Sequence, residues 1–481
     1  MDQSSRMGGA PDRHYRWLFW VVVAGSLGVF FWGLGAVPLL SFNEGRRAVP
    51  VQEMLSGDWL VPTLNGERYL SKPPLFYWCA LVIAKVAGST AEWVVRLPSA
   101  LAGFATTWLA FAIVRKIAGP WPALFTALVL IANANFTSFA RRAEIEMLLT
   151  ALCAGSLFAA LQFVYGAGGR RCLYTSYLLA GLAVLAKGPV ALLFVTGPLL
   201  VLAVVDRDSW VRAYLLDVRG WATLLLVGAS WYLVMVAKFG ITAFTSVVAV
   251  DIAGKVSDAR RDPIYDYLMW LLADSLPWSL VLLATPRKTI KTWLASPERR
   301  YLFVAVLVPL VIFSLFSDKH AKYLLPAYPA FAALLGMRVA AVYGDLSAER
   351  RRLVHGIAAA LPVLVMVYYV VLEPRIFSYR FESLPEIAAF LHQHGEPPVY
   401  AYQEVDERTL YYYGGVIPVL AEPQVTEKRN AGETFLLLVD SDLVEQLTPL
   451  SLCKAAEFAP YFKKSRSAVI LGGGAVCAEP R

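Results

Sequence analysis

The sequence predicts an α-helical polytopic membrane protein with about eleven transmembrane helices and a small C-terminal α/β domain. Composition is the first reason: 58% of the 481 residues are hydrophobic and only 17% are charged. A soluble domain normally carries about 25% charged residues. The second reason is a series of apolar runs, most of them near the ~20 residues that a ~30 Å hydrocarbon layer requires. The third is that cationic residues recur in alternate connections between those runs.

In chain order the apolar runs occupy residues 17–40, 97–114, 121–139, 147–165, 172–186, 190–205, 221–236, 267–285, 301–316, 323–342 and 353–372. The N-terminal tail carries Arg6, Arg13 and Arg16. Further basic clusters are Arg115 with Lys116, Arg170 with Arg171, and Arg207 with Arg212 and Arg219. Arg287, Lys288, Lys291, Arg299 and Arg300 follow, then Arg350, Arg351 and Arg352. Each cluster falls after an even number of crossings, so the positive-inside rule places all of them, and the N-terminus, in the cytoplasm. The complementary loops 41–92, 140–146, 187–189, 237–266 and 317–322, and the tail after Glu373, are expected outside. Arg13 and Arg16 precede a run too long for a signal-peptide core, so the first run reads as a retained span. The net charge of +8 is dispersed through short loops, which excludes a nucleic-acid partner.

After residue 373 the pattern changes. Short β-rich runs at 399–402, 436–440 and 468–471 alternate with helical patterns near 384–394 and 442–447. The expected organisation is a membrane domain, 1–373, that includes loop 41–92, and an extracytoplasmic α/β domain, 374–481. Cys453 and Cys477 both fall in this tail, on an oxidising side where a disulfide is permitted, and no spacing rule decides whether they pair.

The chemistry-bearing residues collect in the outer loops. Loop 42–78 offers carboxylates (Glu44, Glu53, Asp58, Glu67), cations (Arg46, Arg47, Arg68, Lys72) and aromatic rings. Residues 49–55 and 75–86 read as short interfacial helices. Glu44 follows an apolar span beside Arg46 and Arg47, and a boundary carboxylate is a functional candidate by default. Arg141, Arg142, Glu144 and Glu146 open the fourth span, where the two carboxylates would also favour the helix dipole. Lys187-Gly188-Pro189 holds a cation at the membrane surface, either snorkelling to headgroups or binding a phosphate. Residues 237–266 add Arg260 and Arg261, and 317–323 add His320 and Tyr323. Cations converging from five outer loops, with carboxylates among them, suit a lipid phosphate at the interface.

Several of these segments together resemble a known family. They are Asn43-Glu44-Gly45-Arg46-Arg47, the stretch Glu53-Met54-Leu55-Ser56-Gly57-Asp58-Trp59 with Pro62, and Gly66 through Pro74. Glu146-Met147, Lys187-Gly188-Pro189, Arg261 before Pro263 with Tyr267, and Lys322-Tyr323 with Pro326 complete the set. In this order the chain resembles the C-type (GT-C) polyprenyl-phosphate-dependent glycosyltransferases of the aminoarabinose transferase and protein mannosyltransferase group, over residues 15–340.

The resemblance implies a polyprenyl-phosphate-linked sugar as donor, and transfer to a lipid, glycan or protein acceptor on the periplasmic face of a bacterial inner membrane. By position it implies Lys72, Lys187 and Arg261 as ligands of the donor phosphate. Glu44 and Glu146 would line the sugar site as the catalytic carboxylates, and Tyr323 would close the pocket. Asn43, Arg46, Arg142, Glu144, Arg260 and His320 fall within the same expected substrate pocket. Three positions depart from the family pattern: an Asp is Asn43, a Glu before the Lys-Pro pair is Ser71, and a His is Arg260. These departures argue against a divalent metal cofactor and leave a non-catalytic binding protein as the second reading. A lipid-linked sugar transporter ranks lower, because the charges gather at one face instead of the midplane.

Overall fold

The computed structural model describes residues 13–166, 168–242, 245, 262–283, 285–376, 383–394, 397–458 and 467–477. Their contacts divide the chain into two compact units. One comprises residues 1–34, 70–79 and 96–369; the other comprises 35–69, 80–95 and 370–481.

The first unit is helical. Continuous helices form where apolar residues run without interruption: Arg13–Phe31, Glu92–Ala118, Ile145–Val164 and Gly169–Lys187. The run at 121–139 breaks into Pro120–Ala132 and Ala134–Ala140, bent by 69°. Asn133 sits at the break, and its Oδ1 accepts from Phe136 N at 2.8 Å, so a side chain starts the second piece. The run at 221–236 divides similarly into Val218–Gly228 and Ser230–Phe239, bent by 49°. The run at 267–285 interrupts its helix between Asp266–Ala273 and Leu280–Leu283. Its exposed backbone groups find partners at the other break: Ala134 N donates to Asp274 O at 3.1 Å, and Asn133 Nδ2 to Ser275 Oγ at 3.0 Å.

All eleven expected runs are therefore helical, but not all are single long spans. Among the described residues five helices are long and apolar enough to cross a membrane, or seven if each bent pair is one span. The remaining runs are shorter or interrupted, as Ala191–Val205 shows. Ile145–Val164 packs along Gly169–Lys187, which packs on Val218–Gly228. Pro120–Ala132 lies along Tyr328–Gly344, Ala191–Val205 along Pro297–Ser314, and Arg13–Phe31 along Ala348–Val367.

Arg141, read from sequence as an outward cation awaiting an anion, is buried and has a structural task. Its guanidinium donates to the carbonyls of Val29 (2.5 Å) and Trp32 (2.9 Å) at the end of the first helix. Those carbonyls lack intrahelical partners, and a cation there also complements the helix dipole.

The second unit joins the first outer loop to the C-terminal tail. Its five-stranded mixed sheet runs β4-β3-β5-β7-β6, with β3 Val399–Tyr402, β4 Val419–Leu420, β5 Phe435–Asp440, β6 Cys453–Phe458 and β7 Ala468–Gly473. β3 is parallel to β4 and β5, while β7 is antiparallel to β5 and β6. Strands β3, β5 and β7 match the sequence expectation; β4, β6 and the helices Glu407–Tyr413 and Glu422–Asn430 are additional. Cys453 is disulfide-bonded, whereas Cys79, Cys153 and Cys172 are free thiols.

Within this unit the loop helix spans Phe42–Ser56, starting well before the expected residue 49, and it packs on Glu407–Tyr413. A Cβ on Gly45 would lie 2.7 Å from the Glu407 carbonyl carbon, so the two helices approach closely only because residue 45 has no side chain. Arg46 Nε meets Glu407 Oε1 at 2.7 Å, and Gln52 Nε2 donates to Tyr411 O at 3.1 Å. A hairpin follows: β1 Thr63–Leu64 pairs antiparallel with β2 Glu67–Arg68 around Asn65-Gly66, both at positive φ. Asn65 exchanges two 2.8 Å hydrogen bonds with the backbone of Ile417. The tail's unit begins at residue 370, close to the expected 373, and the grouping differs in the first outer loop: most of loop 41–92 groups with the tail, where its polar groups find partners.

Candidate active site

In the first unit, helix geometry brings opposite charges together. Ile145–Val164 carries Glu146 in its first turn, and Gly169–Lys187 carries Lys187 in its last. The two helices are consecutive in the chain and packed side by side, so the start of one meets the end of the other. Each charge also complements the dipole of its own helix end. Lys187 Nζ lies 2.9 Å from Glu146 Oε1, with the carboxylate buried and the lysine largely so. Gly188 ends the lysine's helix at φ +104°, a conformation that favours glycine and turns the chain sharply away.

A second cation closes the group. Lys322, in the 3-10 helix Ala321–Ala327, places Nζ 3.6 Å from Glu146 Oε1 and 3.8 Å from Glu144 Oε2. Glu144 is the residue before the helix, and its side chain does not cap it. Ser99 clamps the Glu144 backbone, donating to its carbonyl at 3.1 Å and accepting from its N–H at 3.2 Å. The carboxylate is thereby directed to Lys322. Tyr323 stands over Lys187, with Nζ 5.1 Å from the ring centroid.

This cluster borders a cavity of about 330 Å³. Lys72, Lys187, Asp318 and Tyr323 form its polar wall, while Leu149, Phe194, Phe313 and Phe316 supply an apolar one. Cations at one wall and hydrocarbon along the other fit a phosphate with an aliphatic tail. His320 lies at the margin, half-exposed, with Nε2 3.5 Å from Asp318 Oδ1 and its ring edge-on to Tyr323.

Of the residues singled out in the sequence, Glu144, Glu146, Lys187 and Tyr323 come together here, and Lys72 lines the same cavity. Arg142 is half-buried just ahead of Glu144. Arg260 and Arg261 lie outside the described residues; Asp262, next in the chain, receives Lys319 N on Oδ2 at 2.9 Å. Lys322 and Asp318 were not among the expected site residues, although the charge-dense run 317–323 marks them.

Glu44, Asn43 and Arg46 belong to the second unit. Glu44 is fully buried, and its Oε2 accepts from Leu40 N at 2.7 Å, while Ser41 Oγ accepts from Glu44 N at 3.3 Å. This is a variant of the reciprocal Ser-x-x-Glu helix start, a signal present in Ser41-Phe42-Asn43-Glu44. Arg46 is ion-paired with Glu407. Among the described residues no group of three or more His, Cys, Asp or Glu is arranged to hold a metal ion.

The fold is that of the C-type glycosyltransferases. The chain superposes on the crystal structure of ArnT from Cupriavidus metallidurans bound to undecaprenyl phosphate with a TM-score of 0.82 at 21% identity, covering 97% of this chain and 99% of that one. An archaeal oligosaccharyltransferase, AglB from Archaeoglobus fulgidus, superposes with a TM-score of 0.53 at 10% identity over 90% of this chain and 70% of that one. Residues 71–233 match the family described as dolichyl-phosphate-mannose-protein mannosyltransferase.

Curated relatives include an undecaprenyl phosphate-alpha-4-amino-4-deoxy-L-arabinose arabinosyl transferase of Sodalis glossinidius, 30% identical over 68% of this chain and 60% of its own length. Its counterpart from Shewanella sediminis is 29% identical over 64% of this chain and 57% of its own length. An uncharacterized protein of Aquifex aeolicus is 29% identical over 64% of this chain and 70% of its own length. The matched region therefore spans between somewhat over half and 70% of these relatives. The family match, the relatives and the fold together support a place for this chain among the GT-C polyprenyl-phosphate-dependent glycosyltransferases.

Proposed function

We propose that the protein transfers a sugar from a polyprenyl-phosphate-linked donor to a lipid, glycan or protein acceptor on the outer face of a bacterial cytoplasmic membrane. The observation that carries this reading is the pairing of Lys187 with Glu146 at a cavity whose other wall is hydrocarbon. In the reaction the acceptor attacks the anomeric carbon, and the bond from that carbon to the phosphate oxygen breaks. Polyprenyl phosphate departs carrying the extra negative charge. Lys72 and Lys187 stabilise that charge as it develops, and Arg261 joins them by its place in the family pattern. Preorganised charge of this kind is often the largest catalytic contribution, because no reorganisation accompanies the step. Glu146 fixes the direction of the Lys187 ammonium, and Glu144 does the same for Lys322.

A hydroxyl acceptor must also lose a proton, and a general base contributes roughly 10²–10⁴-fold. By its place in the family pattern Glu44 is the first candidate base, and Glu146 is the reserve. A phosphate acceptor is already ionised and needs none, so the replacements at Asn43 and Ser71 would be tolerated more readily. The Cys453 disulfide supports an oxidising location for the second unit.

The test is to incubate purified protein with a panel of polyprenyl-phosphate pentoses and hexoses and to measure released polyprenyl phosphate. Turnover with one sugar class, lost on Lys187→Met in a folded protein, supports transfer. Donor binding without release across the whole panel of sugars and acceptors would favour the binding-protein reading.

A further inference from the structure

A second cavity in the helical unit belongs to no part of the site above. Its volume is about 260 Å³, and it is enclosed by Asp266–Ala273, Arg287–Trp293, Pro297–Ser314 and Tyr328–Gly344. The walls are apolar, with Leu268, Trp293, Phe303 and Leu307 prominent among them. Leu268, Phe303 and Leu307 are 45%, 37% and 40% exposed, so the cavity opens sideways between helices, as a groove accessible to membrane hydrocarbon. An apolar space of this kind is not a stable place for water.

One charged residue, Arg338, borders it through its aliphatic stem, with the guanidinium beyond the apolar lining. Arg338 lies in the helix Tyr328–Gly344, and its Nε donates to Thr285 Oγ1 at 2.9 Å. Among the described residues its terminal guanidinium nitrogens have no hydrogen-bond or carboxylate partner. An arginine within a membrane-spanning helix that lacks a protein counterion marks a ligand site by default. Beside it, the segment Arg287–Trp293 turns Thr289, Ile290 and Trp293 to the cavity, while Lys288 and Lys291 are exposed. That division of faces is the pattern of a helix lying in a membrane interface. Arg338 is ten residues beyond Tyr328, about 15 Å along a helix rising 1.5 Å per residue, and so it is displaced from Lys322 and Tyr323 towards the helix's opposite end.

We infer that this groove binds one anionic glycerophospholipid of the cytoplasmic leaflet, with an acyl chain in the apolar cavity and its phosphate on Arg338, flanked by Lys288 and Lys291. Charge complementarity commits the choice. A zwitterionic lipid would satisfy the guanidinium but would add its own cation beside two lysines. The basic loop 286–300 lies on the side where anionic lipid surfaces attract such clusters. Assignment of the leaflet rests on the topology reading; the site itself does not depend on transfer activity.

The test uses full-length protein in detergent, stripped of lipid and titrated with phosphatidylglycerol, phosphatidylcholine or polyprenyl phosphate, with bound lipid counted by native mass spectrometry. One phosphatidylglycerol should be retained at least tenfold more tightly than phosphatidylcholine. Arg338→Gln should remove that preference, and Leu307→Trp, which fills the groove, should remove binding of both lipids. Thermal unfolding of the two variants, and their binding of polyprenyl phosphate at the Lys187 site, report whether each is folded. Equal retention of both phospholipids by the native protein overturns the proposal. So does a preference that survives Arg338→Gln, or displacement of phosphatidylglycerol by stoichiometric polyprenyl phosphate.

Discussion

At the scale of single residues, the decisive contact is the 2.9 Å pair of Lys187 with Glu146. On the proposed function, replacing Lys187 by Met takes a fixed positive charge away from the leaving phosphate, and turnover is expected to fall by about 10²–10³-fold, the usual cost of losing one oxyanion-stabilising donor. Glu146→Gln retains a hydrogen-bond acceptor but loses the charge that orients two lysines. Its effect should appear in both kcat and the donor KM. If Glu146→Gln changes neither, the carboxylate does not position the phosphate-binding cation. Glu44 calls for a different measurement, because its carboxylate already accepts Leu40 N at the start of a helix. Glu44→Gln preserves that acceptor, so the protein should fold and melt as the native one does. Loss of transfer to a hydroxyl acceptor with unchanged melting supports a base; full activity makes Glu44 a structural residue.

At the scale of elements, the helix Phe42–Ser56 and its partner Glu407–Tyr413 depend on a missing side chain. Gly45→Ala would place a methyl group 2.7 Å from backbone. The helices must then separate, at a cost of about 1–3 kcal/mol, as overpacking elsewhere costs. A lowered melting temperature, read by intrinsic fluorescence, is the expected result; an unchanged one means that the contact is soft. The same elements show what was legible in the sequence. The amphipathic pattern placed a helix at 49–55 but not its first turn, which begins at Ser41. The Ser-x-x-Glu signal was there, yet the charges around Glu44 invited a catalytic reading first. Asn65-Gly66 likewise marks a two-residue hairpin. Its strands are two residues each, too short for alternation to register. The short strand β4 and the helices 407–413 and 422–430 escape periodicity for the same reason.

At the scale of the whole chain, the two units differ in what holds them. The helical unit buries long apolar faces, whereas the second relies on a sheet, on polar stitching between distant segments and on the Cys453 disulfide. Cys453→Ser is expected to destabilise the second unit by about 2–4 kcal/mol, the usual contribution of such a cross-link. Limited proteolysis should then cleave within 370–481 at a lower temperature, while the helical unit resists. Equal resistance of mutant and native protein would show that the sheet core alone suffices.

By itself the sequence determined the class of molecule, the helical character of all eleven apolar runs and the core strands of the tail, and it singled out Lys72, Glu144, Glu146 and Lys187, which the fold gathers at the candidate cavity. Hydropathy and motif order are local properties, so they survive reading along one dimension. Tertiary structure decided which charges meet. Lys322 joins Glu144 and Glu146 only because a 3-10 turn, Ala321–Ala327, lies against the start of a helix formed far earlier in the chain. Arg141 became a cap for the first helix and Arg46 a partner of Glu407, because each found unsatisfied oxygen atoms distant in sequence. The same cause moved the first outer loop into the tail's unit. A polar group removed from water must be paired, and the partner that satisfies it is chosen by the fold.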